Sequence, residues 1–515
     1  MRLMSDYREK AKNTLNNKEY KAINHPQGLM KRITNKKKKV TVVTAAYNAD
    51  KFIDRTIESV LNQSLGMDFI EYIIIDDKST DGTSEIVKSY AAKNKNISLI
   101  ALNENTGSPG TPRNIGIELA TSDYITFLDA DDWLHPEGLE TLYSILEETN
   151  DDYVVGKTIK VEKSGESIIG EFASVKERRN ISPFDIPHFF YHMGPTARMM
   201  KRSILIDHGI RFPEMKFGED KVFFCDLFFT TRSVSTTTKP IYYVNRMEEN
   251  NGSLTRTTDV LDKRTNDLEI IKYIKSKELP VEMEKTALTR LYEYDFVRTF
   301  NSNTFVNANN KESFIDLFKE VMETTKDLRY SFLDEFKTPI YKAAAELFLD
   351  DRLDDFIKLF EWLRREKNKG YVIKGDLPFY EIPFLEDDYR YIRIPMLAIA
   401  QKNKVEENRE YIQSFNIFGD YVHNLNSIII RDRKRVGNDL ECTFEVENHH
   451  GWFKACNLEL DQLENSLYTV FIRYNEYELM NIKSIPENQI KHNGREFEFY
   501  STKAHNIGLA VKPAK

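Results

Sequence analysis

Phe127-Leu128-Asp129-Ala130-Asp131-Asp132-Trp133 is the stretch on which the reading of this chain turns. Two apolar residues run directly into three carboxylates within four positions. A core strand has no use for that charge, so the strand ends here. If the backbone stays extended, Asp129 and Asp131 project to the same side, because side chains alternate along a strand. Paired carboxylates offer the hard oxygen donors that a divalent cation takes, and a cation there bridges to a nucleotide diphosphate. The other reading of D-x-D is an exposed acidic loop that happens to follow a strand. The sequence on either side bears on the choice.

Upstream, Lys39-Val40-Thr41-Val42-Val43-Thr44-Ala45-Ala46-Tyr47-Asn48 is a short apolar run ending in small residues, which suits a buried parallel strand. Ile53, Ile57, Val60 and Leu61 then recur at helical spacing. Tyr72-Ile73-Ile74-Ile75-Asp76-Asp77 reads as a second strand. Lys78 to Thr83 is a turn into a helix through Ile86, Val87 and Tyr90, and residues 97–102 and 124–128 supply two more strands. This alternation predicts a parallel α/β sheet.

Open α/β sheets bind ligands at the carboxyl ends of their strands, and each candidate residue falls at such an end. Tyr47 stacks on a base or packs as an ordinary aromatic. Asp77 accepts from a base N–H or caps a helix. Arg113 pairs with phosphate through its fork of donors or makes a surface ion pair. The loop Asn105 to Asn114 combines glycines that allow close backbone approach with prolines that stiffen its path. It is neither a Walker loop nor a dinucleotide fingerprint.

The series Ala45-Ala46-Tyr47-Asn48, Ile75-Asp76-Asp77 to Thr83, Gly110-Thr111-Pro112-Arg113-Asn114 and Asp129-Ala130-Asp131-Asp132 resembles glycosyltransferase family 2, whose fold is GT-A. The likeness spans residues 38–135. It implies a sheet that binds a UDP-sugar donor. Ala45, Tyr47, Asp77 and Asp129 would hold uridine and ribose, with Asn105 and Arg113 beside them. Asp131 would ligate Mn2+ or Mg2+. Many members carry Pro-Thr where this chain has Ala45-Ala46, a change that a backbone contact to the base survives.

Residues 151–250 have another character. Val154 to Val161 and Ser167 to Phe172 flank Gly165 as a hairpin would. Further on, Glu219-Asp220 precedes an apolar helix from Val222 to Phe229. The pair either favours the positive end of that helix or works as a base that takes a proton from an attacking hydroxyl. The family resemblance places the base on Asp220, with Glu219 as its neighbour, and implies an inverting reaction with no covalent intermediate. A narrower likeness is to wall-teichoic-acid transferases, which add N-acetylglucosamine to poly(ribitol phosphate). It rests on Ser108 to Asn114, Asp129 to Asp132 and Phe212 to Asp220, with Ser108 replacing a glycine. Where those relatives set a His or Arg against the diphosphate, this chain has Ser253, with Arg246 and Arg256 nearby. An anionic polymer acceptor favours a basic surface, which Arg178, Arg179, Arg198, Lys201, Arg202 and Arg211 would supply; each also reads as an ordinary solvated charge.

At 515 residues the chain is expected to form two to four domains of roughly 100–200 residues. A net charge of −8 argues against a nucleic-acid binder. Three cysteines, none in a C-x-x-C pair, suggest no disulfide framework and a reducing cytoplasm. No run approaches a membrane span. Residues 1–37 form a basic extension that contacts the inner face of a membrane, stays solvated, or lies as a helix on the next domain. A GT-A domain is expected over 38–256 and a helical linker domain over 257–374. A β-rich, sandwich-like domain over 375–515 is expected to serve oligomerisation or polymer contact. There, Trp452, Tyr474 and Tyr477 read as a sugar platform or as core aromatics.

The expected activity is a metal-dependent inverting transfer, GlcNAc first, from a UDP-sugar to a cell-surface polymer, teichoic acid first. A family 2 enzyme of capsular or other surface polysaccharide is the alternative. A carbohydrate-binding scaffold on an inactive transferase fold is the alternative of another class.

Overall fold

The computed structural model describes residues 7–25, 38–247, 258–406, 410–483 and 487–514. The chain forms two compact units, Met1–Lys163 with Ile168–Leu291 and Ser164–Ser167 with Tyr292–Lys515.

The first unit is built on one mixed sheet. Its strands are β1 (Tyr20–Ile23), β2 (Val40–Ala46), β3 (Ile70–Asp76), β4 (Ile97–Leu102), β5 (Tyr124–Phe127), β6 (Trp133–Leu134), β7 (Tyr153–Glu162), β8 (Gly165–Ile169), β9 (Arg178–Ile181), β10 (Arg198–Lys201) and β11 (Val234–Asn245). The order across the sheet is β1-β4-β3-β2-β5-β10-β7-β11-β6, with β8 on β7 and β9 on β11. β4, β3, β2 and β5 are parallel, as the apolar runs predict. Every residue of β3 is buried, which is why it reads as a continuous apolar run rather than an alternating one. Each such Ile stabilises the core by about 1.5–3 kcal/mol.

The chain passes from β2 to β3 and β4 on one side, then returns to lay β5 on the other side of β2. The reversal opens a crevice at the carboxyl ends of β2 and β5, where Tyr47 and Asp129 lie.

Among the described residues, the helices of this unit nine residues or longer are α1 (Tyr7–Asn16), α2 (Ile53–Leu61), α3 (Thr83–Lys93), α4 (Gly110–Leu119), α5 (Gly138–Thr149), α6 (Glu219–Thr230), α7 (Val260–Lys275) and α8 (Val281–Thr289). α4 comes so close to β2 that a Cβ at Gly116 would sit 2.3 Å from Val43 Cγ1. Nearly all of α4 is buried between the sheet and α1.

Two expected boundaries move. Residues 7–25 are not a detached arm: α1 packs on α4, and β1 extends the sheet antiparallel to β4 from Tyr20↔Leu102 to Ile23↔Leu99. The Asn24 side-chain amide donates to the carbonyls of Ala91 and Ile97, fixing the turn after β1. At the other end, α7 and α8 belong to the first unit, so its contacts run past residue 256 to Leu291. The reason is ionic: Asp267 of α7 is fully buried and takes Lys221 of α6 at 2.5 Å and Arg264 at 3.0 Å.

In the second unit, helices Glu312–Glu323, Pro339–Leu349 and Leu353–Arg365 close around aromatic rings, with Phe300 and Phe356 centroids 4.8 Å apart. A small sheet follows, β12 (Tyr371–Lys374), β13 (Leu377–Glu381) and β14 (Tyr391–Arg393). The β-rich remainder holds β15 (Met396–Val405), β16 (Tyr411–Gly419), β17 (Leu425–Asp432), β18 (Leu440–Glu447), β19 (His450–Ala455), β20 (Leu467–Tyr474), β21 (Glu478–Lys483), β22 (Asn488–His492), β23 (Arg495–Ser501) and β24 (Ile507–Pro513). It is barrel-like rather than a two-layer sandwich, because β17 pairs with both β18 and β20 and closes the ring. Tyr474 is buried beside Tyr421, whereas Trp452 sits on the half-buried outer set of β19, so the two do not share a sugar platform. Among the described residues, no helix is long and apolar enough to cross a membrane.

Candidate active site

A cavity of about 910 Å³ opens at the crevice between β2 and β5, within the first unit. Ala45, Tyr47, Asp77, Asn105, Arg113, Asp129, Asp131, Glu219 and Asp220 all line it. The sheet topology and the start of α6 therefore bring together the nine residues expected to hold the donor or act as the base.

Arg113 ties the site together. Its Nη2 donates to Asp129 Oδ1 at 2.8 Å, and its Nη1 donates to Asp220 Oδ1 at 2.9 Å and lies 3.3 Å from Glu219 Oε1. The guanidinium is buried and rests over the Phe212 ring, 5.2 Å from its centroid. Of its two readings, phosphate partner and surface ion pair, the geometry is that of an ion pair, and a buried one: its fork faces three carboxylates, one from the D-x-D turn and two from α6. A planar five-donor group can bridge two elements in this way; a lysine cannot.

One cation against three carboxylates leaves an excess of negative charge in a site of low solvation. Burial, with Asp220 alongside, pushes the Glu219 carboxyl up to about 8, against the pull of Arg113. Burial raises Asp220 to about 6; Arg113 opposes this and Asp129 adds to it. Glu219 is almost inaccessible, whereas 27 % of the Asp220 side chain is exposed to the cavity. Asp220 is thus the member of the pair that a ligand can reach. Gly218 caps α6 at φ 91, a left-handed conformation that turns the chain sharply into the helix.

On the donor side, Tyr47 is 52 % exposed at the mouth of the cavity, as a stacking role requires. Asp77 is buried, and burial raises its carboxyl. Both its oxygens accept from Thr106, one from the amide and one from the hydroxyl, each at 2.9 Å. Asn105 donates to the Asp77 carbonyl and accepts from the Gly107 amide, so it shapes the loop rather than reaching across the cavity. Two lone-pair sites per oxygen leave Asp77 able to accept one more donor.

The D-A-D-D turn is held from two sides. The Thr56 hydroxyl of α2 lies 2.9 Å from the Ala130 carbonyl and 2.7 Å from that of Asp132. From β11, the Tyr242 hydroxyl accepts from the Asp129 amide at 3.0 Å and donates to Asp132 Oδ2 at 2.9 Å. Asp132 also accepts from the Asn245 amide at 2.7 Å. Burial, with Asp131 and Asp129 near, raises the Asp132 carboxyl well above its ordinary range. Of the three carboxylates, Asp132 is structural; Asp129 and Asp131 face the cavity.

The expected basic surface is not an open surface. Arg198 is buried, donating to the carbonyls of His192 and Gly194 with its guanidinium 4.6 Å from the Phe224 centroid. Arg211 is buried against Glu118 at 2.6 Å. Arg178 donates to Thr236, Arg179 to the Thr236 carbonyl, Lys201 to Asp152 and Arg202 to the Ile117 carbonyl. These cations tie loops to strands. Sequence reasoning passed over His192, Lys216 and Arg290, which do line the cavity, as does Arg246. The His192 imidazole is kept neutral by burial and by Arg198 and Arg290. His192 and Arg290 sit in no motif; Lys216 lies within the Phe212 to Asp220 stretch, where the acidic pair drew the reading instead. Ser253 and Arg256 lie outside the described residues.

Comparison with known proteins gives these features a family. Residues 41–209 match the family model Glycosyl transferase family 2. The chain is 27% identical over 400 residues to a poly(ribitol-phosphate) beta-glucosyltransferase of Bacillus spizizenii, covering 75% of this chain and 60% of that protein. It is 34% identical over 221 residues to the poly(ribitol-phosphate) beta-N-acetylglucosaminyltransferase TarP of Staphylococcus aureus, covering 42% of this chain and 65% of TarP. The chain thus spans less than two thirds of the length of these curated relatives. Among solved structures, S. aureus TarS aligns over 93% of this chain and 86% of its own at a TM-score of 0.56 and 18% identity, a likeness of fold. TarS 1–349 in complex with UDP-GlcNAc aligns over 69% of this chain at a TM-score of 0.56 and 21% identity. The parallel strands with their crevice, the D-x-D turn and the matched family model make residues 41–209 a glycosyl transferase family 2 domain of the GT-A fold.

Proposed function

We propose that this chain transfers a sugar, GlcNAc first, from a UDP-sugar to a hydroxyl of an anionic cell-surface polymer, poly(ribitol phosphate) first, with inversion. One observation carries the reading: Arg113 holds the D-x-D carboxylate Asp129 and the α6 carboxylate Asp220 on one guanidinium, across a single cavity. A donor and an acceptor bound there meet between those two acids.

Asp129 and Asp131 offer carboxylate oxygens of the kind that Mn2+ or Mg2+ takes. Among the described residues, no group of three or more His, Cys, Asp or Glu is arranged to hold a metal. One or two protein carboxylates suit an ion whose remaining positions go to diphosphate and water, as is usual for magnesium. When bound, such an ion supplies charge stabilisation to the departing diphosphate. Asp131 would hold it; Asp129 is shared with Arg113.

The rest follows from the chain's own residues. Tyr47 offers a face for the uracil and Asp77 an acceptor for its N–H. Asp220 takes the proton of the acceptor hydroxyl as its oxygen bonds to the anomeric carbon. The bond from that carbon to the diphosphate oxygen breaks, and UDP leaves with the electron pair. A base near pH 6 is well matched to neutral conditions, because it is ionised yet still basic. The buried Glu219 helps hold the Arg113 fork in place.

The sugar is the finer question. The relatives named above divide between glucose and N-acetylglucosamine. UDP release in the presence of Mn2+ should be measured with UDP-GlcNAc, UDP-glucose and UDP-GalNAc against purified teichoic acids. Polymer-dependent release with one donor, abolished in Asp220→Asn, is the expected result. UDP binding with no release, across every donor and polymer, would shift the reading to a carbohydrate-binding scaffold.

A further inference from the structure

Tyr242 takes no part in the chemistry above, yet its hydroxyl is bonded to both ends of the D-A-D-D turn. It accepts the Asp129 amide at 3.0 Å and donates to Asp132 Oδ2 at 2.9 Å. The side chain is 1% exposed, so water cannot replace either bond. Next along β11, Tyr243 stacks on Trp133 with centroids 5.4 Å apart and planes within 10°. Strand β6, which contains Trp133, pairs with Tyr242 and Tyr243 in register. Two residues beyond, the Asn245 amide donates to the other Asp132 oxygen at 2.7 Å. The turn is therefore splinted along its length by one strand, and that strand runs on to Arg246 in the cavity wall.

We propose that Tyr242 is a positioning residue for donor binding: by pinning the Asp129 amide to the Asp132 carboxylate it aims Asp129 and Asp131 at the divalent cation and the donor diphosphate. The physical reason is geometric. Asp129 and Asp131 touch the cavity, but neither has a rigid side chain, so their direction is set by the backbone of the turn. Thr56 fixes two carbonyls of that backbone, the Asp129 carbonyl accepts the Asp132 amide at 3.2 Å, and Tyr242 fixes the Asp129 amide. Partners that orient metal-binding carboxylates in this way commonly contribute 10- to 100-fold to affinity. The inference rests on the metal-dependent donor reading given above.

Titration calorimetry of UDP with and without Mn2+ tests it, on the full chain and with melting temperature recorded beside it. In the native protein, Mn2+ should tighten UDP binding, and Asp131→Ala should abolish that gain. If Mn2+ brings no gain in the native protein, the donor reading itself fails. Given the gain, Tyr242→Phe keeps the ring and removes both hydrogen bonds. It should reduce the Mn2+-dependent gain by roughly tenfold and leave metal-free UDP binding within twofold. A merely structural tyrosine would weaken both alike, and that result overturns the proposal, as does an unchanged gain. Should Tyr242→Phe fold too poorly to titrate, Asp132→Asn decides. It leaves one acceptor oxygen for two donors, the Tyr242 O–H and the Asn245 amide, so the splint loses one tie and a smaller loss confined to the Mn2+-dependent part is expected; an unaltered gain overturns the assignment.

Discussion

The two halves of the first unit use their charges differently. In the strand-helix half, residues 40–135, Asp77, Asp129 and Asp131 stand just past the carboxyl ends of strands and face the cavity. In the following half, residues 151–247, charges of the same kinds mostly turn inward: Arg198, Arg211 and Arg178 are buried, and Asp151 and Asp152 are buried with Ser235, Lys201 and Arg232 as partners. A parallel strand shows its function at its end, where the backbone stops being paired and side chains are freed. The second half mixes one long parallel pair, β7 with β11, with antiparallel pairs, a hairpin and loops. There, an arginine is as useful for tying a loop carbonyl as for binding a ligand. A charge therefore has to be read by what precedes it. After an apolar run it points to ligand; within a loop-rich segment it points to the loop.

Asp220 and Arg113 stand at the join of the halves, and removing either tests the contrast most severely. Asp220→Asn keeps the shape and removes the base. Transfer should fall by about 10²–10⁴-fold, while UDP binding changes little. Equal loss of UDP binding would show that Asp220 works on the donor side instead. Arg113→Met leaves Asp129, Glu219 and Asp220 crowded without a cation. Breaking a buried ion cluster from one side costs about 3–5 kcal/mol, to be read from urea unfolding. Arg113→Lys restores the charge but not the fork, so it should recover only part of that stability.

Acidity sharpens the comparison further. Asp220 is lifted to about 6, and a base acts in its ionised form, so transfer should rise with pH up to about 6 and then level. The limb should vanish from the residual activity of Asp220→Asn. Glu219 has the opposite consequence for the fold. Its carboxyl is raised from 4.5 to about 8, so the folded state holds a proton that the unfolded state releases first. Between those values the native state binds more protons than the unfolded one, and stability contributed by this group falls as pH rises. Glu219→Gln should flatten that decline, seen as a smaller drop in melting temperature between pH 5 and pH 8.

Most of the cavity was legible because its residues follow the period-two and apolar-run signals of parallel strands. Tyr47, Asp77 and Asp129 needed only the strand ends to be found. Tyr242 was not legible, for a physical reason. β11 runs Val-Ser-Thr-Thr-Thr-Lys-Pro-Ile-Tyr-Tyr-Val-Asn, rich in β-formers but interrupted by Pro240. A proline argues against a central strand, and the pairing with β7 does shift register on both sides of it. The strand tolerates the break and carries on to Tyr242. α7 was misplaced for another reason: an amphipathic stripe says that a helix packs, but not on what. Its partner is named by pairs far apart in sequence, Lys221 with Asp267 and Asp226 with Tyr273, separated by 46 and 47 positions.

Lys201 gives the smallest effect and the most direct test of the inward reading. Its ammonium reaches the Asn150 carbonyl at 2.6 Å and Asp152 at 3.2 Å. Asn150 closes α5 in a left-handed conformation, so Lys201 meets the negative end of that helix. If the six basic residues formed a docking surface, Lys201→Met would raise the KM for an anionic polymer and weaken its salt dependence. As an internal tie, it should do neither: KM for polymer should stay within about twofold, and stability should fall by about 1 kcal/mol or less. The cations that meet the acceptor are then sought on the cavity wall, where Lys51, Lys216 and Arg246 stand. Lys51 and Lys216 are exposed on that wall. A polymer KM that responds to Lys216→Met but not to Lys201→Met would locate the acceptor path by subtraction. The reverse response would return the polymer to the outer surface and break the distinction between the two halves.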